Sequence, residues 1–193
     1  MDAAERVRAA MAAQPRERFL PGAQRRRAHY DGPLDIGHGQ TNSQPRTVQA
    51  MLELLEVRPG HRVLDVGSGS GWTTALLAEL VGPTGSVLGL ERVPELVVTG
   101  SANVEAARMP WACVRSSVAG VLGAPAQAPF DRVLVSAMAA RLPEELVAQL
   151  EEHGILVAPV SGRMLRVVRD DRAPDRRRVT EHGRYLFVPL VTD

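Results

Sequence analysis

The chain has no lysine: all 23 basic side chains are arginine, set against 22 acidic ones, for a formal net charge of +1. We read the missing lysine as a compositional habit of the source genome, not as chemistry. A balance so near zero provides no global field to draw nucleic acid or an anionic membrane surface. Cysteine is nearly absent too. Cys113 stands alone, so no internal disulfide can form, which fits a reducing compartment. In the apolar stretch WACV it reads as an inert core thiol and not as a nucleophile. Nowhere are 18 consecutive residues apolar, which excludes a membrane-spanning helix. The stretch MDAAERVRAAMAAQPRERF lacks the apolar run of a secretion signal, and the expected location is the cytoplasm.

What is present points to a globular enzyme-sized domain. With 45% hydrophobic and 23% charged residues over 193 positions, the chain can bury a sizeable core. Residues 2–14 read as a helix ended by Pro15. Residues 15–42 are rich in Pro, Gly and Arg and read as a long loop, and a loop of that length in a small domain is usually functional. Ser43 looks like an N-cap with Pro45 in the first turn, and Val48, Met51, Leu52, Leu54 and Leu55 follow at helical spacing. Strands and helices then alternate: strand 62–66, helix 73–81, strand 86–91, helix 94–108 weakened by Gly100, strand 111–115, loop 116–129, strand 131–137, helix 143–152 and strand 154–160. The alternation predicts an α/β fold, a doubly wound, mostly parallel sheet with helices on both faces. MLRVVRD (164–170) and RYLFVPL (184–190), with no room for a helix between them, predict antiparallel strands at the C-terminal edge. The run Arg176–Arg178 has Asp neighbours and no interleaved aromatics, and reads as a solvated turn instead of a nucleic-acid contact.

In VLDVGSGSGW, Gly67, Gly69 and Gly71 link a strand to a helix. Glycine lets a ligand approach the main chain, the helix start adds N–H groups and a positive dipole end, and open α/β sheets bind ligands at the carboxyl ends of their strands. A dinucleotide fingerprint, G-x-G-x-x-G, needs glycine where Trp72 stands. The third glycine comes one residue early, and this G-x-G-x-G turn resembles that of class I methyltransferases, which pass the methionine part of S-adenosyl-L-methionine there. Glu91 ends the next strand, 20 residues after Gly71. An acid there can accept hydrogen bonds from both ribose hydroxyls; the plainer reading is a solvated strand-end carboxylate. Asp65 either holds the turn or meets the cofactor's ammonium group. Ser68 and Arg92, beside these residues, complete the expected cofactor contacts of the turn.

Residues 30–49, YDGPLDIGHGQTNSQPRTVQ, are more specific. They resemble the protein-L-isoaspartate O-methyltransferase family, whose members carry a segment like PLPIGHGQTISQP. The resemblance continues through PRERFLP (15–21), VLDVGSGSG, APFDRVLVSA (128–137), LPEELVAQLEEHGILVAPV (142–160) and YLFVPLV (185–191), nearly the whole chain in one order. It implies a Rossmann-like domain spanning 1–193, with 1–60 covering substrate and cofactor and 61–193 forming the cofactor-binding core. It also implies methyl transfer from S-adenosyl-L-methionine to the α-carboxylate of L-isoaspartyl residues in damaged proteins, no metal, and a monomer. Ser43 matches the family's serine beside the substrate carboxylate, a role compatible with an N-cap if the helix start faces the substrate. Gln40 and Thr41 are expected to line the cleft, and His38 to be a loop residue without chemistry.

Three positions depart from the family pattern, so the resemblance is to a divergent member. Asn42 replaces the usual Ile before the serine, which suggests an altered substrate pocket. At Val118-Ala119-Gly120 the family has G-D-G, so the acid expected on the adenine amino group is Ala119; one lost hydrogen bond weakens affinity roughly three- to tenfold. Met138 stands in a run of small residues and is expected to narrow the cleft. These changes leave two alternatives open: a carboxyl methyltransferase dedicated to one peptide natural product, and a non-catalytic cofactor-binding homologue.

Overall fold

The computed structural model describes residues 2–173 and 175–191. Helix α1 (Ala3–Ala13) opens with a reciprocal cap, Glu5 N donating to Asp2 Oδ1 and Asp2 N to Glu5 Oε2, at 2.7 and 2.9 Å. The expected loop over 15–42 is in fact structured. Two 3₁₀ turns (Arg16–Phe19 and Gly22–Arg27) lead into a hairpin of β1 (Leu34–Gly37) and β2 (Gln40–Asn42). Alternation buries Leu34 and Ile36 on one face, and Gly37, His38 and Gly39 make the turn at positive φ (89°, 57° and 70°). Leu20, Leu34, Ile36 and Leu96 form a small core beneath it. Helix α2 (Pro45–Leu55) starts one residue later than an N-cap at Ser43 requires. Pro45 takes the first helical position and the cap falls on Gln44, whose side chain does not close it; Asp31 Oδ1 accepts from Arg46 N at 3.1 Å instead.

The remaining elements are β3 (Arg62–Val66), α3 (Trp72–Val81), β4 (Ser86–Glu91), α4 (Pro94–Ala106), β5 (Ala112–Ser116), β6 (Phe130–Val135), α5 (Glu144–Val147), β7 (Leu150–Val160), β8 (Arg163–Arg169) and β9 (Arg177–Arg184). They form one seven-stranded sheet in the order β5-β4-β3-β6-β7-β8-β9. The first four pairings are parallel and the last two antiparallel, the architecture the alternation predicts. The near-continuous apolar runs serve both faces. Val63, Leu134 and Val157 pack beneath α2 and α3, while Leu64, Val133, Val135 and Leu156 pack on the other face with Leu146 and Val147 of α5. Cys113 is half-buried at the margin of that second face. The chain leaves β3 for β4 and β5 on one side and returns to β6 on the other. The strand order therefore reverses at the carboxyl ends of β3 and β6, where a ligand crevice opens.

Two expectations need correction. The helix predicted over 143–152 stops at Val147. Leu150 already pairs with Phe130 across a bulge, and His153 at φ 62° fits no helix. The partner of β8 is β9 at 177–184, not 184–190. A tight turn held by Asp170 N to Arg176 O (3.0 Å) starts the pairing at once. Residues 185–191 instead run across the strand ends, clasped by Met138 N to Val188 O (2.7 Å) and Leu190 N to Met138 O (2.8 Å). Of the arginine run, Arg177 makes a two-pronged pair with Glu144 and Arg178 pairs with Asp170.

Candidate cofactor and substrate site

The glycine turn is held from below and from the side. Gly67, Gly69 and Gly71 all have positive φ (80°, 53° and 86°). Gly67 N and Ser68 N both donate to Leu90 O at the end of β4, at 2.9 and 3.0 Å. The Glu91 carboxylate, 6% exposed, accepts from Gly69 N on Oε2 (2.9 Å) and from Arg92 N and Val93 N on Oε1 (2.8 and 2.9 Å). It thereby ties the turn to the head of α4, and Oε2 keeps acceptor capacity beyond its one donor among the described residues. Asp65 is fully buried below the turn. Its Oδ2 accepts from the hydroxyls of Thr73 and Thr74, each at 2.7 Å, so it anchors the first turn of α3. Its Oδ1 has no partner among the described residues. Burial raises its pKa to about 6 against the opposing pull of the two hydroxyls.

One cavity borders this turn and a second adjoins the first. The first, of about 250 Å³, is lined by Gln40 and Thr41 of the hairpin, Gly67 and Gly69, Glu91 and Arg92, the loop through Val118 and Ala119, and the returning tail at Val188–Val191. Eight of the sequence-predicted cofactor residues thus meet around one space. Three do not line it. Asp65 lies underneath. Gly71 packs on α4, where a Cβ would sit 2.8 Å from Gly100 O. Ser68 lines a small polar recess shared with Thr41, Ser43 and Ser136, and its buried hydroxyl has no partner among the described residues. At the outer end Val118 and Ala119 are exposed, and among the described residues no carboxylate stands beside them. The second cavity, of about 980 Å³, is lined by Ser43, Thr47, Ser136, Arg163, Arg184, Tyr185 and Leu186, among others. Thr41, Ser136 and Val188 line both spaces. Ser43 stands on the larger side, and no hydrogen bond to its hydroxyl occurs among the described residues.

The comparisons with known proteins agree with one another. The family model of protein-L-isoaspartate(D-aspartate) O-methyltransferase matches residues 1–193. The chain belongs to this family. A protein-L-isoaspartate O-methyltransferase of Methanopyrus kandleri is 43% identical over 96% of this chain and 83% of its own. One of Methanosarcina mazei is 40% identical over 97% and 77%. Among solved structures, a Plasmodium falciparum chain described as a protein-L-isoaspartate O-methyltransferase beta-aspartate methyltransferase, crystallised with S-adenosyl-L-homocysteine, superposes with a TM-score of 0.84. It shares 25% identity, over 98% of this chain and 91% of that one. As a member of the family the chain is a methyltransferase whose methyl donor is S-adenosyl-L-methionine. Among the described residues no helix is long and apolar enough to cross a membrane.

Within the family frame, the three departures sit differently: Ala119 lines the smaller cavity, Asn42 lines the small recess beside the glycine turn, and Met138 lines neither. Asn42 is buried. Its Oδ1 accepts from Arg16 Nε at 2.7 Å and its Nδ2 donates to Ser70 Oγ at 3.2 Å. The polar side chain at this position is satisfied by Arg16 and Ser70. Met138 lines neither cavity; its sulfur accepts from Gly162 N at 3.2 Å while its backbone clasps the tail.

Sequence reading missed Arg16. It is 5% exposed, lies over the Trp72 ring at 5.7 Å, and donates to the carbonyls of Tyr30, Gly32, Asn42 and Ser43 at 2.8–2.9 Å. Desolvation lowers its pKa to about 10, with Asp31 opposing, so it stays cationic. One guanidinium thus fastens the start of the hairpin segment and the Ser43 backbone to the N-terminal turn. The only sequence signal was the family-like PRERFLP around it.

Proposed function

We propose that this family member esterifies the α-carboxylate of L-isoaspartyl residues in damaged proteins and peptides, the first step of a repair that runs through a succinimide. The observation that carries the reading is the wall of Thr41, Ser136 and Val188 common to two cavities, with Ser43 on the larger side.

The smaller cavity fits the cofactor. Glu91 Oε2 suits the ribose hydroxyls, Gly67 and Gly69 admit a chain close to the backbone, and the Ser68 hydroxyl, unpartnered among the described residues, lies in the adjoining recess and suits the polar amino-acid end. The apolar outer end at Val118, Val121 and Leu190 suits the faces of a purine. Bound there, the sulfonium supplies an already activated methyl group. The substrate carboxylate is an anion at neutral pH and needs no strong base. The protein's task is therefore to hold one oxygen in line and keep water out. Ser43 donates a hydrogen bond to the second oxygen, and Thr41 and Ser136 bound the passage between the cavities. The 1–60 segment covers the site, with its hairpin over the glycine turn. Esterification makes the carboxyl group a better acyl electrophile. The next backbone nitrogen then closes a succinimide with loss of methanol, and hydrolysis returns part of it to normal aspartate. The reading includes a monomer acting in the cytoplasm, a compartment that suits a lone thiol.

A dedicated natural-product enzyme drew support from Asn42, Ala119 and Met138, of which Met138 lines neither cavity; a non-catalytic binder drew support from Ala119 alone. A methyl-transfer assay on paired isoaspartyl and aspartyl peptides tests the proposal. The wild type is expected to methylate only the isoaspartyl peptide, and Ser43→Ala to lose roughly 10- to 100-fold in kcat/KM, the worth of a hydrogen bond to a charged group. Equal rates on both peptides overturn it.

A further inference from the structure

The larger cavity is built for more negative charge than one carboxylate. Among the described residues it is lined by fourteen, and none of these is acidic. Two arginines stand at its mouth, Arg163 at the start of β8 and Arg184 at the end of β9, and they are direct cross-strand partners. Like charges placed opposite each other on an antiparallel pair repel. Glu181 relieves Arg163 through an ion pair in which both side chains are about half exposed. Arg184 is exposed and has no ion-pair partner among the described residues. Beside it Leu186 is 96% exposed, an apolar side chain on the rim with nothing to cover it. The cavity, at about 980 Å³, is far larger than one aspartyl side chain and accommodates several residues of a peptide. The neutral chain as a whole provides no such field; this one is local.

We infer that Arg184, backed by Arg163, selects substrates in which acidic residues flank the isoaspartyl position, so that the enzyme acts preferentially on acidic segments of damaged protein. The inference rests on the isoaspartyl reading above. A flanking carboxylate relieves the Arg163–Arg184 repulsion, while a flanking lysine adds to it. The pairs are exposed, so each contributes modestly and is screened by salt.

The test uses three peptides that share one isoaspartyl core and carry two Glu, two Gln or two Lys beside it. With the wild type at low salt, kcat/KM is expected to fall in that order, with about a tenfold spread between Glu and Lys from two exposed charge interactions. The spread should shrink to under about threefold at high salt, where screening is short-ranged. Arg184→Glu is expected to invert the order. Glu181→Gln, which frees Arg163, is expected to widen the preference for Glu, and it checks the idea independently of any misfolding of the first variant. Binding of the same peptides, followed by fluorescence anisotropy in the presence of S-adenosyl-L-homocysteine, reads the charge preference without chemistry. Equal affinities and rates for the three peptides, or a preference for Lys, overturn the inference. Graded binding with no methyl transfer to any of them would instead strike the isoaspartyl reading and leave the charge selection standing.

Discussion

Asp65 lies wholly buried beneath the glycine turn with one oxygen held by two threonine hydroxyls and the other unpartnered. Burial disfavours its charged form more than the hydroxyls favour it, and the pKa rises from 3.8 to about 6. The sign of the consequence follows from linkage. A folded-state pKa above the unfolded one contributes stability that is present below about pH 4 and is lost as pH rises through 6. Between pH 4.5 and 7 the wild type is expected to lose about 2 kcal/mol from this group alone, a loss that Asp65→Asn should not show. Urea denaturation of both proteins at the two pH values measures the difference, and parallel losses would contradict it. At this scale the sequence was legible where a residue's role is set by near neighbours: Asp65 sits two positions before Gly67, and Glu91 closes the adjacent strand. It was not legible for Arg16, whose acceptors are carbonyls 14 to 27 residues away. Nothing local marks a guanidinium that satisfies itself without a carboxylate. Asn42 misled for the same reason, since its partner was not in view.

Gly100 weakens a helix by composition, and the structure shows why α4 carries it. A Cβ there would lie 2.8 Å from Gly69 O and 3.4 Å from Gly71 N, and a Cβ on Gly71 would lie 2.8 Å from Gly100 O. The two backbones touch, glycine to glycine, and this contact sets the distance of α4 from the cofactor turn. Alanine is the better helix former by roughly 0.5–1 kcal/mol, so propensity alone predicts that Gly100→Ala stabilises. The contact predicts the opposite: a net loss of about 1–3 kcal/mol from overpacking, with weaker S-adenosyl-L-homocysteine binding by calorimetry. A stabilised variant with unchanged affinity would show that the contact yields easily. Elements with strong periodicity or a glycine stop, such as α2, α3 and the strands β3, β4 and β6, could be read from sequence. The failures at α5, β7 and β9 share a cause. Helical and strand patterns overlap in LPEELVAQLEEHG, and long-range pairing of Leu150 with Phe130 decided between them. RYLFVPL has strand-like alternation but is used as a strap, because Met138 offers it backbone partners across the strand ends.

Across the whole molecule the smaller cavity joins the ends of β4 and β6, at Leu90–Arg92 and Ser136–Ala137, to four further segments that are far apart in sequence: the hairpin at 34–42, the turn at 67–71, the loop at 116–123 and the tail at 188–191. Each is irregular or short, and each depends on the switch point of the sheet to bring it there. Such segments sit at the low-stability end of a fold and open locally more readily than the core. A ligand that touches all four should therefore couple them. With S-adenosyl-L-homocysteine at 100 times its Kd, mass action adds about 2.7 kcal/mol to stability, which for a chain of this size raises Tm by about 5–10 °C. Amide hydrogen exchange would locate the effect. Protection is expected to rise in all four segments together and to change little in α1 and in β8, whose packing the cavity does not involve. If protection rose only at 67–71 and 116–123, the hairpin and the tail would be parts of the substrate cleft alone. The wall of Thr41, Ser136 and Val188 would then have to form when the peptide arrives, and the order of binding would be fixed with cofactor first.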